Sequence, residues 1–305
     1  MIINIFFFCQ ILVKFVLFFL ESFCILRKVF NAVWGKMISK KNKKLTTFKE
    51  HERFVLVLWG GGTRGFYTLW VLKALEEAGY REKIDAVYGV SVWAIIGAYW
   101  TAGYSAQEIF DNFKHLEVSP TKWIALFSKQ HLLKTDYLEK KFRDELPATF
   151  EELELPLYIT ATDLRTAKMI IFNKEELVTP VLASMAIPWI FPIVEYQKYL
   201  LVDGWVIDNF PTTTAKRNYP NHKIIGIALN MFKKNKRVKG MIDTLTTAFE
   251  IMLRKDQVKR TEDIDISFYE TIDCKVLDIH TKKREKAFQQ GYQSWKKTFA
   301  LSSEK

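Results

Sequence analysis

The apolar positions of this chain change period repeatedly between residues 53 and 230, and each change marks an element. "RFVLVL" at 53–58 is a continuous apolar run of strand length, followed by "GGGTRG" at 60–65. Residues 66–78 then carry apolar side chains at helical spacing up to Gly79, a favourable helix C-cap. "KIDAVYGV" predicts a second strand, and 92–103 a second helix that stops at Gly103. Helices are also predicted over 106–115, 135–145 and 177–186, and strands in "LPLYITATDL", "KMIIF", "YLLVDG" and "HKIIGIALN". Past a basic break at 233–239, the pattern predicts a helix over 240–258, a strand at 275–279 and a closing helix over 282–299. Strands alternating with helices predict an α/β fold, three α/β/α layers around a largely parallel central sheet.

The first fifty residues are patterned differently. Residues 2–20 are apolar except for Asn4, Gln10 and Lys14, a length barely sufficient for a bilayer core. A central Lys costs about 2.5–3.5 kcal/mol on insertion, against roughly 0.3–0.6 gained per Leu, Ile, Phe or Val, so spanning is close to neutral. Gln10, Lys14 and Glu21 fall on one narrow helical stripe, which suits a helix lying in the interface equally well. A translation start at Met37 is the alternative, and would leave the segment unmade. The chain therefore divides into a hydrophobic segment 1–35 (a membrane anchor), a basic linker 36–50 and a main domain 51–305.

Charge sharpens that division. Residues 1–50 hold nine Lys or Arg against Glu21 and Glu50, so they carry +7 of the net +11. Such an imbalance points to an anionic membrane surface as partner rather than to nucleic acid. The positive-inside bias would leave the main domain cytoplasmic. Cys9, Cys24 and Cys274 have no paired spacing, which argues against a disulfide framework and a zinc site. No metal and no cofactor is expected.

Two stretches carry candidate chemistry. The loop Gly60-Gly61-Gly62-Thr63-Arg64-Gly65 lies between a strand and a helix, where backbone N–H groups can stabilise negative charge. Gly60, Gly62 and Gly65 fit G-x-G-x-x-G with Asp85 twenty residues on, so a dinucleotide site is one reading. An oxyanion hole is another, and a tight structural turn a third. The second strand separates them. A ribose-binding acid belongs at that strand's C-terminal end, but Asp85 lies at its start, and the end holds Gly89-Val90-Ser91. A serine on a strand-to-helix turn stands clear of the sheet as a nucleophile must; a helix-capping hydroxyl is the plainer alternative. For its base, His222 and His280 come late enough in the chain but sit in surface-like surroundings. Asp203 ends a strand before Gly204, at the sheet edge where α/β active sites form; a loop-capping Asp is the plainer alternative.

Together these stretches resemble the patatin-like phospholipase family, over about 53–230. Gly60 to Gly65 match its glycine loop, Gly89 and Ser91 its elbow, and Asp203-Gly204 its acid turn; "ATDLRTAKMIIF" and "ASMAIPWIFPIVE" are similar as well. The resemblance implies a Ser91–Asp203 dyad without histidine that cleaves phospholipid or other lipid esters. It also implies an oxyanion hole around Gly61–Gly62, with Arg64 fixing the loop or attracting an anionic head group. Trp93 departs from it, standing where the elbow carries glycine, and Trp59, Trp70, Trp189 and Trp205 stand at similar small-residue positions. Thirteen glycines are about 4% of the chain, and adding the nine tryptophans gives about 7%, the usual glycine share. This predicts UGA codons read as glycine by the source organism. The alternative is a diverged lipid-binding relative without catalysis.

Overall fold

The computed structural model describes residues 51–59, 65–114, 133–230 and 263–271, with single positions at 240, 244, 247, 248 and 292. The proposed anchor and linker, the loop 60–64, and the elements predicted at 275–279 and 282–299 lie outside the described residues. So does nearly all of the helix predicted over 240–258. No helix among the described residues is long and apolar enough to cross a membrane.

In chain order the elements are β1 (Phe54–Leu58), α1 (Gly65–Glu77), β2 (Ile84–Val90), α2 (Val92–Thr101), α3 (Ala106–Lys114) and α4 (Asp136–Glu145). There follow β3 (Leu157–Asp163), β4 (Lys168–Phe172), α5 (Val178–Ser184), β5 (Val194–Tyr196), β6 (Tyr199–Asp203), α6 (Thr212–Asn218), β7 (Lys223–Asn230) and β8 (Ile266–Thr271). All five residues of β1 are buried, as expected of a strand covered on both faces. Its alternation divides them between two cores. Phe54, Leu56 and Leu58 pack with Leu69, Leu72 and Ile96 of α1 and α2, while Val55 and Val57 pack with Phe210, Ala215 and Ile224 on the other face. The sheet thus lies between two helical layers.

The eight strands bond in the order β5-β6-β3-β2-β1-β7-β8, with β4 also pairing β3. Pairs among β1, β2, β3, β7 and β8 are parallel, and those made by β4, β5 and β6 are antiparallel. Three short elements are absent from the sequence pattern. β5 has three residues, too few to show a period; α6 reads "TTTAKRN" with no apolar stripe; β8 mixes apolar residues with Ser267 and Glu270 directly after an acidic run.

The register of β3 brings two distant parts of the chain together. Ile159 and Thr160 pair with both β2 and β4, and residues 161–163 with both β4 and β6. A strand has only two edges, so β6 continues along the edge that β2 leaves. The two meet head to head, with Val90 opposite Thr160 and Asp203 opposite Ala161.

Candidate active site

Ser91 is the residue between β2 and α2, with φ 62° and ψ −130°. A non-glycine residue in that region is strained by roughly 1–3 kcal/mol. The sharp turn also explains Gly89: a Cβ there would lie 2.5 Å from the carbonyl oxygen of Trp93. Gly204 answers a second close approach, since its Cβ would meet the carbonyl oxygen of Thr160 at 2.4 Å.

The meeting of β2 and β6 puts Ser91 against Asp203. Ser91 Oγ donates to Asp203 Oδ2 at 2.6 Å. Asp203 Oδ1 accepts from the Trp205 N–H at 3.0 Å, and the Asp203 N–H donates to the carbonyl of Ala186 at 2.9 Å. Asp203 is fully buried and Ser91 is 5% exposed. Burial disfavours the ionised carboxylate and pushes its pKa up to about 7, with the hydrogen bonds from Ser91 and Trp205 opposing. The result is a carboxylate that can exchange a proton near neutral pH, directly bonded to a hydroxyl.

Leu58, the last residue of β1, lies opposite Gly89 of β2. The strand from which the 60–64 segment departs therefore ends beside the elbow. Gly65 opens α1; Gly60, Gly61, Gly62 and Arg64 lie outside the described residues.

The competing residues sit elsewhere. His222 Nε2 is 2.7 Å from Asp85 Oδ2, and Arg53 Nε donates to the same carboxylate at 2.9 Å, with a second contact through its other nitrogen. Arg53 precedes β1, Asp85 is second in β2 and His222 precedes β7, so this network ties the starts of three parallel strands at the end opposite Ser91. The Arg53 hydrogen bond, with His222 adding to it, holds the Asp85 pKa below its ordinary value against the effect of burial. His222 thus pairs with Asp85 at the end of the sheet away from Ser91, and Asp85 is not at a ribose position. His280 lies outside the described residues. Among the described residues, no group of three or more His, Cys, Asp or Glu comes together to hold a metal ion.

Of the five tryptophans singled out, Trp59, Trp70, Trp93 and Trp205 are buried and Trp189 is 54% exposed. The indole N–H groups of Trp59 and Trp93 are buried without a hydrogen-bond acceptor. By contrast, Trp100, outside that set, donates its indole N–H to Glu76 at 2.6 Å. Trp189 has φ +66°.

Sequence reading missed one residue at the site. Ser184 Oγ accepts the Ser91 N–H at 2.9 Å and donates to the carbonyl of Thr160 at 2.7 Å. Its signals in the sequence are a polar residue inside the apolar stretch "VLASMAI" and its place in the family-like stretch "ASMAIPWIFPIVE".

The profile of the family described as Patatin-like phospholipase matches residues 56–216, just over half of the chain. An uncharacterised NTE family protein of Mycobacterium bovis is 32% identical over 166 residues, covering 52% of this chain and 44% of that protein. The neuropathy target esterase sws of Drosophila persimilis is 30% identical over 164 residues, 51% of this chain and 11% of that protein. The matches thus span less than half the length of these relatives. Among solved structures, VipD from Legionella pneumophila superposes with a TM-score of 0.52 at 14% identity, over 87% of this chain and 69% of that one. At that identity the likeness shows the fold alone.

Proposed function

The chain belongs to the patatin-like phospholipase family, and on that premise we propose that it is a serine hydrolase of lipid carboxylic esters working through Ser91 and Asp203. The observation that carries the reading is the buried 2.6 Å hydrogen bond between Ser91 Oγ and Asp203 Oδ2. Ser91 Oγ attacks the ester carbonyl as its proton passes to Asp203 Oδ2. The tetrahedral intermediate collapses, the C–O bond breaks and the leaving alcohol takes the proton, leaving an acyl group on Ser91. Water, activated by the same carboxylate, releases the acid. The N–H groups of the Gly60–Gly65 loop, at the N-terminus of α1, supply the oxyanion hole. Lys36, Lys40, Lys41, Lys43 and Lys44 hold the domain at an anionic membrane surface, where its substrates lie.

The pH profile tests the role of the acid. Only ionised Asp203 accepts a proton, so kcat/KM on a short-chain p-nitrophenyl ester is expected to rise about tenfold per pH unit below ~7 and to level off above. A profile flat through that range would exclude Asp203 as the base.

The working enzyme, on this reading, carries glycine at positions 59, 70, 93, 189 and 205. Two observations support it. A buried N–H without an acceptor, as in Trp59 and Trp93, costs about 1–3 kcal/mol. A left-handed non-glycine residue such as Trp189 costs roughly 1–2 kcal/mol. Peptide mass spectra of the protein from its native host are expected to show glycine at these positions; tryptophan at 93 would overturn the reading. In the chain as written, Trp189→Gly is expected to stabilise by up to ~1 kcal/mol in urea unfolding, after allowing ~0.5–1 kcal/mol for the extra freedom of unfolded glycine.

A further inference from the structure

We infer that Ser184 is a positioning residue that fixes the nucleophile's elbow, an inference that rests on the dyad reading above. Ser184 ends α5 and is fully buried. Its hydroxyl proton is committed to the carbonyl of Thr160 at 2.7 Å, which turns a lone pair of Oγ toward the Ser91 N–H at 2.9 Å. Thr160 is the residue of β3 opposite Val90, one position before the residue that faces Asp203. A single hydroxyl therefore ties α5, the central strand and the elbow at the point where β2 and β6 meet.

The same short segment holds the other half of the dyad. Two residues after Ser184, the carbonyl of Ala186 accepts the Asp203 N–H at 2.9 Å. Residues 184–186 thus grip the backbone of both Ser91 and Asp203 and set the separation across which Oγ donates. The grip matters most at Ser91, whose φ of 62° is a conformation that persists only where its surroundings over-determine it. Without the acceptor, the Ser91 N–H is left in a buried site and the elbow is free to relax, turning Oγ away from Asp203. Ser184 touches no reacting atom, so its loss should slow the chemical step and leave substrate binding alone.

The test is made in the chain carrying glycine at positions 59, 70, 93, 189 and 205, the form read above as the working enzyme and here the parent. It compares Ser184→Ala and Ser184→Cys with that parent on a short-chain ester. Rates are normalised to the sites titrated by a fluorophosphonate. Ser184→Ala is expected to lower kcat per titrated site by ~10–100-fold, with KM within about twofold. Ser184→Cys keeps a weak donor and acceptor and is expected to fall between the two. It also carries the test if the alanine variant does not fold. A kcat per titrated site within about twofold of the parent, with only the number of active sites reduced, would mean a purely structural role and overturn the inference. Ser91→Ala separates this from the parent reading. If that variant is inactive while Ser184→Ala is fully active, only the role of Ser184 fails. If Ser91→Ala retains activity, the dyad itself fails.

Discussion

Ser91→Ala is expected to lower ester hydrolysis by ~10³-fold or more, because it removes the atom that forms the acyl intermediate. Asp203→Asn should do nearly as much, since the amide cannot take the proton that Oγ must lose. The residual rate of the double variant should match that of either single one, as expected for groups that act as a unit. His222→Ala provides the contrast. Its ring bonds to Asp85 at the starts of the strands, so kcat should stay within about twofold of the parent. The measurement is steady-state hydrolysis of a p-nitrophenyl ester and of phospholipid vesicles, with all variants made in the chain carrying glycine at positions 59, 70, 93, 189 and 205 and assayed side by side. Activity that survives Ser91→Ala but not His222→Ala would reject the Ser–Asp assignment. If neither the chain as written nor its Trp93→Gly, Trp205→Gly form hydrolyses any ester, the protein is a lipid-binding member of the family.

The second large effect concerns stability, and it runs against function. The Asp203 carboxyl has an ordinary pKa of 3.8 that is pushed up to about 7 in the fold by burial. A raised carboxyl pKa means that the folded protein holds the proton more tightly than the unfolded chain. The associated stability is fully present below the ordinary value and is lost as pH rises through about 7. Above that, folding buries an ionised carboxylate at a cost of roughly 4 kcal/mol. Asp203→Asn removes that titration while keeping an acceptor for the Trp205 N–H. It is therefore expected to be inactive yet a few kcal/mol more stable than the parent above pH ~7, with much less dependence on pH between about 4 and 7. Urea unfolding at a series of pH values measures it. An asparagine variant less stable than the parent at alkaline pH would show that the carboxylate is compensated within the fold.

Much of this was legible before any coordinates. The apolar run of β1, the helical spacing of α1 and the switch from β2 to α2 at Ser91 are local patterns, set by side-chain period and by small residues at the turns. Asp203 was recognisable because it ends an apolar strand just before a glycine. What could not be read locally was β5, too short to carry a period, and β8, whose mixed residues are drawn into the sheet by pairing with β7. Ser184 lies in the family-like stretch "ASMAIPWIFPIVE", but a serine in an apolar stretch has no local mark of the two partners it finds.

The amino-acid sequence by itself determined the alternation of strands and helices, the elbow at Ser91 and the acid at Asp203, because each rests on period and turn chemistry within a few residues. Only the tertiary structure puts the two in contact. They are 112 positions apart in the chain, and their contact depends on β2 and β6 sharing one edge of β3. The same arrangement explains why Gly204 must be small beside Thr160, why Asp203 is buried deeply enough to titrate near neutrality, and why His222 pairs with Asp85 at the far end. Pairing register and burial are properties of the assembled sheet, and no stretch of sequence contains them alone.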